Sequence, residues 1–369
     1  MRRPFFALIL LSSIPLSVPA QTPQLVRLTF LGDIMAHEVN YQMASYSDIY
    51  RGVSDIFAAD DLTVANLELP VDPTRPESSY PRFNGNFAYI QAAVDAGIDL
   101  FSTANNHAFD GGVEGVFQTL RVMARLRADR PDGVFSSGTR GNEHSSFAPV
   151  SVWRKGVHIG FLAVTQFLNE SDGGRYVNVV DYADETSVES FLSYVNDVSS
   201  RFDLLIVSYH GDQEYVQTPS PLKRRFFREL LQAGADIVFA HHPHVVQGYE
   251  VVSVKGTRRL IMYSMGNFIS GMTWDLNPAW IDNPFNATGE AYLLEVQELC
   301  APGGCSIQSV LPVPIANYRN TSDDMVVGRL TDLAAGSAGL SPIWTAYYAA
   351  RLARMKRFLD TTAASVSLP

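Results

Sequence analysis

The chain has 369 residues, of which 46% are hydrophobic and 18% charged, a composition that supports a buried core and argues against extended disorder. Asp and Glu outnumber Lys and Arg by 38 to 28, giving a formal net charge of −10. Without a basic face, a nucleic-acid partner is not expected. Two Cys cannot build an iron–sulfur cluster or an all-cysteine zinc site.

The first twenty residues have the composition of a signal peptide. Arg2 and Arg3 are followed by an apolar run over 5–11, and Val18, Pro19 and Ala20 place small residues at a cleavage position. The alternative is an uncleaved N-terminal membrane anchor, although the apolar run is short and is followed by Ser and Pro residues. We therefore predict an exported protein, periplasmic or extracellular, that lacks residues 1–20.

Residues 25–275 alternate between short apolar runs and amphipathic stretches, which indicates an α/β domain with mostly internal, buried strands. The predicted strands are 25–31, 62–67, 98–103, 157–165, 204–209, 237–240 and 260–264. The predicted helices are 88–96, 113–128, 187–198 and 222–233, each with apolar residues at helical spacing.

Residues 276–369 are predicted to form a C-terminal extension that packs on this domain. Cys300 and Cys305 bracket a turn-rich spacer between two apolar stretches, which predicts a β-hairpin closed by a disulfide in an oxidising compartment. The chain then ends in a predicted basic amphipathic helix over 343–359. We expect this helix to pack on the domain, and the alternative is a peripheral contact with an anionic membrane or with an envelope-synthesis complex.

Polar residues are concentrated at the ends of the predicted strands. Because the carboxyl ends of strands in a layered α/β fold lie along one sheet edge, these clusters should converge. The clusters are Gly32-Asp33, Asn66-Leu67-Glu68, Asn105-Asn106-His107, His210-Gly211-Asp212, His241-His242-Pro243-His244 and Gly266-Asn267.

The convergent residues have the composition of a metal site. Three His within four residues, together with Asp, Glu and Asn, supply enough ligands for two divalent ions, and Mn, Zn or Fe suits this mixture better than Ca or Mg. Two such ions could support hydrolysis of a phosphoester or an amide. P-loop, zincin and serine-hydrolase motifs do not occur in the sequence.

Six of these motifs occur in the order of a known family. They resemble the successive signatures of the bacterial CapA family of capsule-synthesis, or poly-γ-glutamate-biosynthesis, proteins, a branch of the calcineurin-like metallophosphoesterases. The resemblance extends from about Val26 to Gly271 and implies a four-layer α/β/β/α sandwich with a metal centre at the strand ends. The motifs are Gly32-Asp33-Ile34-Met35, Asn66-Leu67-Glu68, Ala104-Asn105-Asn106-His107 with Asp110, His210-Gly211 with Glu214-Tyr215, His241-His242-Pro243-His244-Val245-Val246-Gln247, and Ser264-Met265-Gly266-Asn267-Phe268.

The resemblance also implies roles for individual residues. Glu68 takes the place of a bridging carboxylate, and His107, beside Asp110, takes the place of the catalytic imidazole that faces the substrate. The implied metal ligands are Asp33, Glu68, Asn106, His210, His241, His242 and His244. Further residues that could join the site are His37, Asn66, Asn105, Glu214 and Asn267.

Two departures from the metallophosphoesterase pattern bear on the number of ions. The usual D-x-H of the first motif is absent after Asp33, so His37 is the candidate replacement, and Ala240 stands where the last motif usually has Gly. The resemblance implies an exported metal-dependent hydrolase, with one or two ions, that acts on a cell-envelope polymer. The alternative is a non-catalytic envelope-assembly component that keeps the fold.

Overall fold

The computed structural model describes residues 22–131, 133–145, 147–279, 284–301, 304–362 and 365–368, so the predicted signal peptide lies outside the described residues. Two β-sheets and the helices on their outer faces make up this part of the chain. The strands are β1 (Gln24–Ile34), β2 (Leu62–Leu67), β3 (Leu100–Ser102), β4 (Phe135–Ser137), β5 (Val150–Arg154), β6 (Val157–Thr165), β7 (Leu204–His210), β8 (Ile237–His241), β9 (Val246–Val254), β10 (Thr257–Met265), β11 (Asn267–Ile269), β12 (Glu290–Ala301), β13 (Gly304–Arg319), β14 (Met325–Arg329) and β15 (Ser365–Leu368).

The strands pair in two continuous sheets. The first has the order β14-β13-β12-β1-β2-β3-β4, with β11 also paired to β1. Strands β1 to β4 run parallel to one another. Strands β12, β13 and β14 extend the sheet from β1, each antiparallel to its neighbour. The second sheet has the order β15-β9-β10-β8-β7-β6-β5, and its central strands β6, β7, β8 and β10 run parallel.

The helices are α1 (Glu38–Tyr41), α2 (Ser54–Phe57), α3 (Phe87–Asp95), α4 (Gly112–Asp129), α5 (Glu185–Ser199), α6 (Pro221–Ala233), α7 (Leu330–Ala334) and α8 (Pro342–Thr362). Local sequence explains where the longer ones begin and end. Asn86 caps α3 by accepting from the Tyr89 amide, and Ser220 caps α6 by accepting from the Lys223 amide. Gly234 ends α6 in the left-handed conformation, with φ +115°.

The predicted four-layer sandwich is confirmed. The buried residues form three hydrophobic cores, one between the sheets and one under the helices on each outer face. Alternate residues of β1 and β7 point to opposite faces, as the period of a strand requires. Leu28 and Leu204 belong to the core between the two sheets. Leu31 packs with α3 and α4 on one outer face, and Leu205 packs with α5 and α6 on the other.

The predicted C-terminal hairpin forms, and Cys300 and Cys305 are joined by a disulfide, as expected. β12 pairs along its length with β1, from Gln24 opposite Cys300 to Phe30 opposite Leu294. Residues after the predicted boundary at 275 therefore supply β12, β13 and β14 to the sheet that contains β1. They also supply helix α8, which packs on the domain.

The disulfide should contribute only modestly to stability. It closes a loop with a sequence separation of 5, which restricts few conformations of the unfolded chain. Replacing both Cys300 and Cys305 with alanine should therefore lower the free energy of unfolding by about 2 kcal/mol or less, as urea denaturation would measure. A much larger loss, or free thiols in the oxidised protein, would contradict this expectation.

Helix α8 covers one end of the inter-sheet core. Tyr347, Met355 and Leu359 are buried there, and Arg351 is buried in an ion pair with Glu290. Exposed basic residues also lie on this helix, so contact with a membrane surface or an envelope complex stays a prediction. No helix among the described residues is both long and apolar enough to cross a bilayer.

Glu298 of β12 is a buried carboxyl group whose ionisation should oppose folding. Burial raises its pKa from 4.5 to about 8, although the charges of Arg259 and Arg258 act in the opposite direction. Between these two values the folded protein holds a proton that the unfolded chain releases, so stability falls as the pH rises. Glu298→Gln should therefore unfold at a higher temperature than the wild type at about pH 8 and at the same temperature at about pH 4. Equal unfolding temperatures at both pH values would contradict the expected shift.

Candidate metal centre

Register between neighbouring strands brings the polar clusters together. His210 at the end of β7 and His241 at the end of β8 are register partners in the second sheet. In the first sheet, Asp33 of β1 is the register partner of both Asn66 on β2 and Asn267 on β11. Residues far apart in the chain therefore meet at one edge of the sandwich.

Gly32 allows β1 to lie close to the connection between β10 and β11. A Cβ atom at residue 32 would lie 1.7 Å from the carbonyl oxygen of Gly266, so any side chain there would separate β1 from the β10–β11 connection. The amide of Asp33 donates to that same carbonyl at 3.1 Å. The glycine thus holds Asp33 beside Asn267.

A first group of possible ligands consists of Asp33, His210 and His241, all buried, with one ligand atom from each within 4.8 Å of the others. The Nδ1 atoms of His210 and His241 are 3.2 Å apart. Asn66 donates from Nδ2 to Oδ1 of Asp33 at 2.8 Å, and the Ser208 hydroxyl lies 2.9 Å from Nε2 of His241. These contacts hold the three ligand atoms in place.

A second group consists of Glu68, His242 and His244, again buried and within 4.8 Å of one another. Oε1 of Glu68 lies 3.6 Å from Nε2 of His210 and 3.8 Å from Nε2 of His244. Nδ1 of His244 is 2.9 Å from Oδ1 of Asn267, which orients its ring. Glu68 thus lies between the two groups, where a bridging carboxylate would be needed.

The buried carboxylates retain free acceptor atoms. Within the described part of the chain, Oδ2 of Asp33 and both carboxylate oxygens of Glu68 have no hydrogen-bond partner. A buried carboxylate without a donor is unstable unless a cation or a proton satisfies it. The oxygen and imidazole donors present here fit one or two divalent ions of the Mn, Zn or Fe type.

The candidate ligands differ in protonation. Burial lowers the pKa of His241 to about 4 and that of His210 and His242 well below the ordinary value, so these rings are neutral, the form in which an imidazole binds a metal ion. Burial opposes protonation of His244, but its pairing with Asp33 and the charge of Asp33 raise its pKa. Burial, followed by the charge of Asp33, raises the pKa of Glu68. Burial opposes ionisation of Asp33, but pairing with His244 and the charge of His241 lower its pKa overall.

The predicted catalytic pair lies beside these groups. Nδ1 of His107 is 2.7 Å from Oδ2 of Asp110, and that oxygen also accepts from the Phe83 amide at 2.8 Å. The preceding residue, Asn106, places Oδ1 2.8 Å from Nε2 of His210. The Asn106–His107 turn therefore contacts the first ligand group and carries the imidazole next to it.

His37 lies outside both ligand groups. Its Nδ1 accepts from the Gly271 amide at 3.1 Å, and its ring contacts the Phe83 ring with centroids 5.1 Å apart. The Phe83 ring also contacts the His107 ring, with centroids 4.7 Å apart. His37 therefore helps to position Phe83 and the loop at Gly271, and its part in metal binding stays a prediction.

Two other predicted residues lie at the edge of the centre. Nδ2 of Asn105 donates to the carbonyl of Leu67 at 2.7 Å, which fixes the chain just before Glu68. Glu214 is exposed, and its charge is near enough to raise the pKa of Glu68 after burial and Asp33. Their part in metal binding stays a prediction.

Comparison with known proteins assigns the family. The sequence model of the family described as "Bacterial capsule synthesis protein PGA_cap" matches residues 27–272, more than half of the 369 residues. The chain belongs to the PGA_cap family. The resemblance expected from the motifs is thereby confirmed, and both ligand groups lie within the matched part.

Two relatives carry names related to capsule formation. This PGA_cap protein is 30% identical over 254 residues to the PGA biosynthesis protein CapA of Bacillus subtilis (strain 168), covering 67% of this chain and 63% of that protein. It is 26% identical over 324 residues to the capsule biosynthesis protein CapA of Bacillus anthracis, covering 82% and 74%. The match thus spans less than two thirds of the Bacillus subtilis protein.

Solved structures with similar folds are more distant. A calcineurin-like phosphoesterase, YfkN from Bacillus subtilis, is 10% identical with a TM-score of 0.41, covering 92% of this chain and 99% of that chain. A hypothetical protein from Thermus thermophilus is 15% identical with a TM-score of 0.44, covering 78% and 98%.

The loop that carries the last two His of this PGA_cap centre has an uncommon backbone. His242 has φ +101° and His244 has φ +58°, in a region that residues other than glycine rarely adopt. Each such residue costs about 1–3 kcal/mol and persists where surrounding contacts enforce it. In this conformation the side chains of His242 and His244, on either side of Pro243, belong to the same ligand group.

Sequence reasoning missed two residues that support the centre. Asn169 donates its amide to the Asn106 carbonyl at 3.0 Å and places Nδ2 3.3 Å from Nδ1 of His107. Asn169 follows β6, so it could have been found in the same way as the other polar residues that follow strands. Lys223 of α6 is fully buried and donates to Oε1 of Gln247 at 2.9 Å. The sequence indicates this residue as a lysine on the otherwise apolar face of α6.

Proposed function

We propose that this PGA_cap protein is an exported metal-dependent hydrolase that acts on a cell-envelope polymer, such as poly-γ-glutamate, capsule or peptidoglycan-linked material. One observation carries the proposal. Two buried ligand groups with unsatisfied carboxylate oxygens lie next to each other, and a paired imidazole and carboxylate lies beside them. That arrangement combines ligands for metal ions with a group for proton transfer.

Asp33, His210 and His241 would hold one ion, and Glu68, His242 and His244 would hold the other. Divalent ions bound there would polarise the scissile phosphoester or amide and lower the pKa of an attacking water. Burial keeps His210, His241 and His242 neutral, so protons do not compete for their ligand atoms at neutral pH. The pKa of His244 is raised by its pairing with Asp33, so this ring would release a proton when an ion binds.

His107 is the proposed proton donor to the leaving group. In the doubly protonated ring, Nδ1 donates to Asp110, and the second proton, on Nε2, is the one that is transferred to the leaving group. In hydrolysis, the water oxygen bonds to phosphorus or to the carbonyl carbon, and the bond to the leaving oxygen or nitrogen breaks. The leaving atom takes the proton from His107, which recovers one from the water.

Export and an envelope substrate have separate support. The relatives are named for capsule and PGA biosynthesis, and the Cys300–Cys305 disulfide is typical of an oxidising compartment. We propose that residues 1–20 direct export and are then removed. Mass analysis of the N-terminus of protein recovered from its native cells would test this, because cleavage predicts a chain that begins after Ala20.

The test of the hydrolase is metal content combined with turnover. Purified protein should hold one or two equivalents of Mn, Zn or Fe by elemental analysis, and a generic phosphodiester or an envelope polymer should be hydrolysed only by the metal-loaded form. Removing the ions with a chelator and restoring them should abolish and then recover activity. Metal without turnover on any phosphoester or envelope polymer would instead favour the non-catalytic assembly component.

A further inference from the structure

Exposed aromatic side chains are concentrated around the candidate centre. Among the described residues, Tyr80 is 74% exposed, Trp153 60%, Tyr215 48% and Phe167 38%. Trp153 lies on β5, at the far edge of the second sheet. The other three lie in loops beside the ligand groups, and we call Tyr80, Phe167 and Tyr215 the aromatic rim.

Two members of the rim contact metal-ligand candidates directly. The Phe167 ring lies 5.2 Å from the His242 ring in an edge-on arrangement, and the Tyr215 ring lies 6.1 Å from the His244 ring. Tyr80 lies in the turn between the bridge partners Ser78 and Asn84, close in the chain to Phe83, whose ring contacts the His107 ring with centroids 4.7 Å apart. The rim therefore borders the place where a substrate must enter.

Backbone contacts fix the two inner members of the rim. The Tyr215 amide donates to the carbonyl of Pro243, between the two His of the strained loop, at 2.8 Å. The Phe167 carbonyl accepts from the Thr165 hydroxyl at 3.0 Å, at the end of β6. These bonds fix the backbone that carries both rings, and a fixed backbone lowers the entropy that ligand binding must remove.

Charged groups near the rim do not favour a polyanion. A cavity of about 240 Å³ adjoins Asp110, and its charged lining residues are Arg82, Asp110, Glu170 and Asp172. Arg82 is paired with Glu170, which neutralises it, and Glu214 adds a further exposed carboxylate beside the centre. A chain of carboxylates would meet net repulsion along this approach.

We infer that the substrate presents neutral saccharide rings, which stack on the aromatic rim while the bond to be cleaved reaches the candidate centre. This inference rests on the proposed function, because it assigns a substrate class to the same site. Aromatic faces bind apolar ring surfaces, and the hydroxyl groups of a sugar tolerate the acidic surroundings through hydrogen bonds. A glycan-bearing polymer fits the rim better than an unsubstituted poly-γ-glutamate chain does.

The test is direct binding to metal-loaded protein, measured by titration calorimetry with a neutral glucan hexamer and with a γ-linked glutamate hexamer. We expect the glucan to bind more tightly than the glutamate peptide. The double variant Phe167→Ala/Tyr215→Ala should weaken glucan binding about tenfold or more. Trp153→Ala, which removes a more exposed aromatic ring from the edge strand β5, should leave glucan binding unchanged.

Two results would overturn the inference: tighter binding of the glutamate hexamer, or equal glucan affinity in the double variant and in Trp153→Ala. Metal content and thermal unfolding of each variant establish that the centre and the fold are intact. If the double variant loses its metal, Tyr80→Ala replaces it, because Tyr80 contacts neither ligand ring in the described geometry and is the most exposed member of the rim. Glucan binding with no turnover of any polymer would reject the hydrolase and leave the rim assignment standing.

Discussion

Replacing His107 with alanine is expected to lower kcat about 10²–10⁴-fold while the metal content of the protein stays the same. His107 contacts Asp110 through Nδ1 and belongs to neither ligand group, so its loss removes a proton donor and no metal ligand. Steady-state kinetics on any substrate that turns over, together with elemental analysis of the same preparation, would measure both quantities.

The matched control is His144→Ala, because the His144 side chain is 87% exposed and lies outside the centre. It should match the wild type in both measurements. A His107 variant that loses its metal would assign His107 to ion binding, and one with unchanged turnover would remove it from the mechanism. A leaving group that needs no proton, such as p-nitrophenolate, should shrink the effect of the substitution, because His107 acts on the leaving atom.

The sequence predicted which residues meet at the centre, because the strand ends of a layered α/β fold are fixed by chain direction. His210 and His241 follow parallel neighbouring strands, so their register partnership follows from the strand assignments alone. Asp33 and Asn66 meet in the same manner in the other sheet. Local patterns were sufficient here because polar residues interrupt otherwise continuous apolar runs.

Other features depend on contacts between distant segments, which local patterns do not encode. The pairing of β12 with β1 joins residues about 270 positions apart, and no periodicity within either strand specifies its partner. A part for His37 in metal binding stays a prediction. Nothing in the sequence reveals that the Phe83 ring contacts both His37 and His107. Within residues 25–275, four strands, β4, β5, β9 and β11, were not predicted. Two of them, β4 and β11, have three residues each, too few for a period to show.

The two ligand groups should be separable by mutation. His241→Ala removes one of three ligands from the first group and leaves Glu68, His242 and His244 intact. His242→Ala does the opposite and leaves Asp33, His210 and His241. Because loss of a mere supporting contact to a ligand already weakens metal affinity about 10–100-fold, loss of a ligand itself should empty its group at micromolar metal.

If the protein binds two ions, each single variant is therefore expected to retain one equivalent by elemental analysis, and the His241→Ala/His242→Ala double variant none. The unfolding temperature should fall from the wild type to the single variants and again to the double variant. The reason is that an ion present at 100 times its dissociation constant stabilises the folded state by about 2.7 kcal/mol. Loss of both ions from either single variant would show that Glu68, which lies between the groups, couples them into one site. If the wild type instead holds one ion and only one of the two variants loses it, the group altered in that variant is the one that binds the ion. Turnover should follow metal content in every case, because the proposed chemistry requires the ions and His107 together.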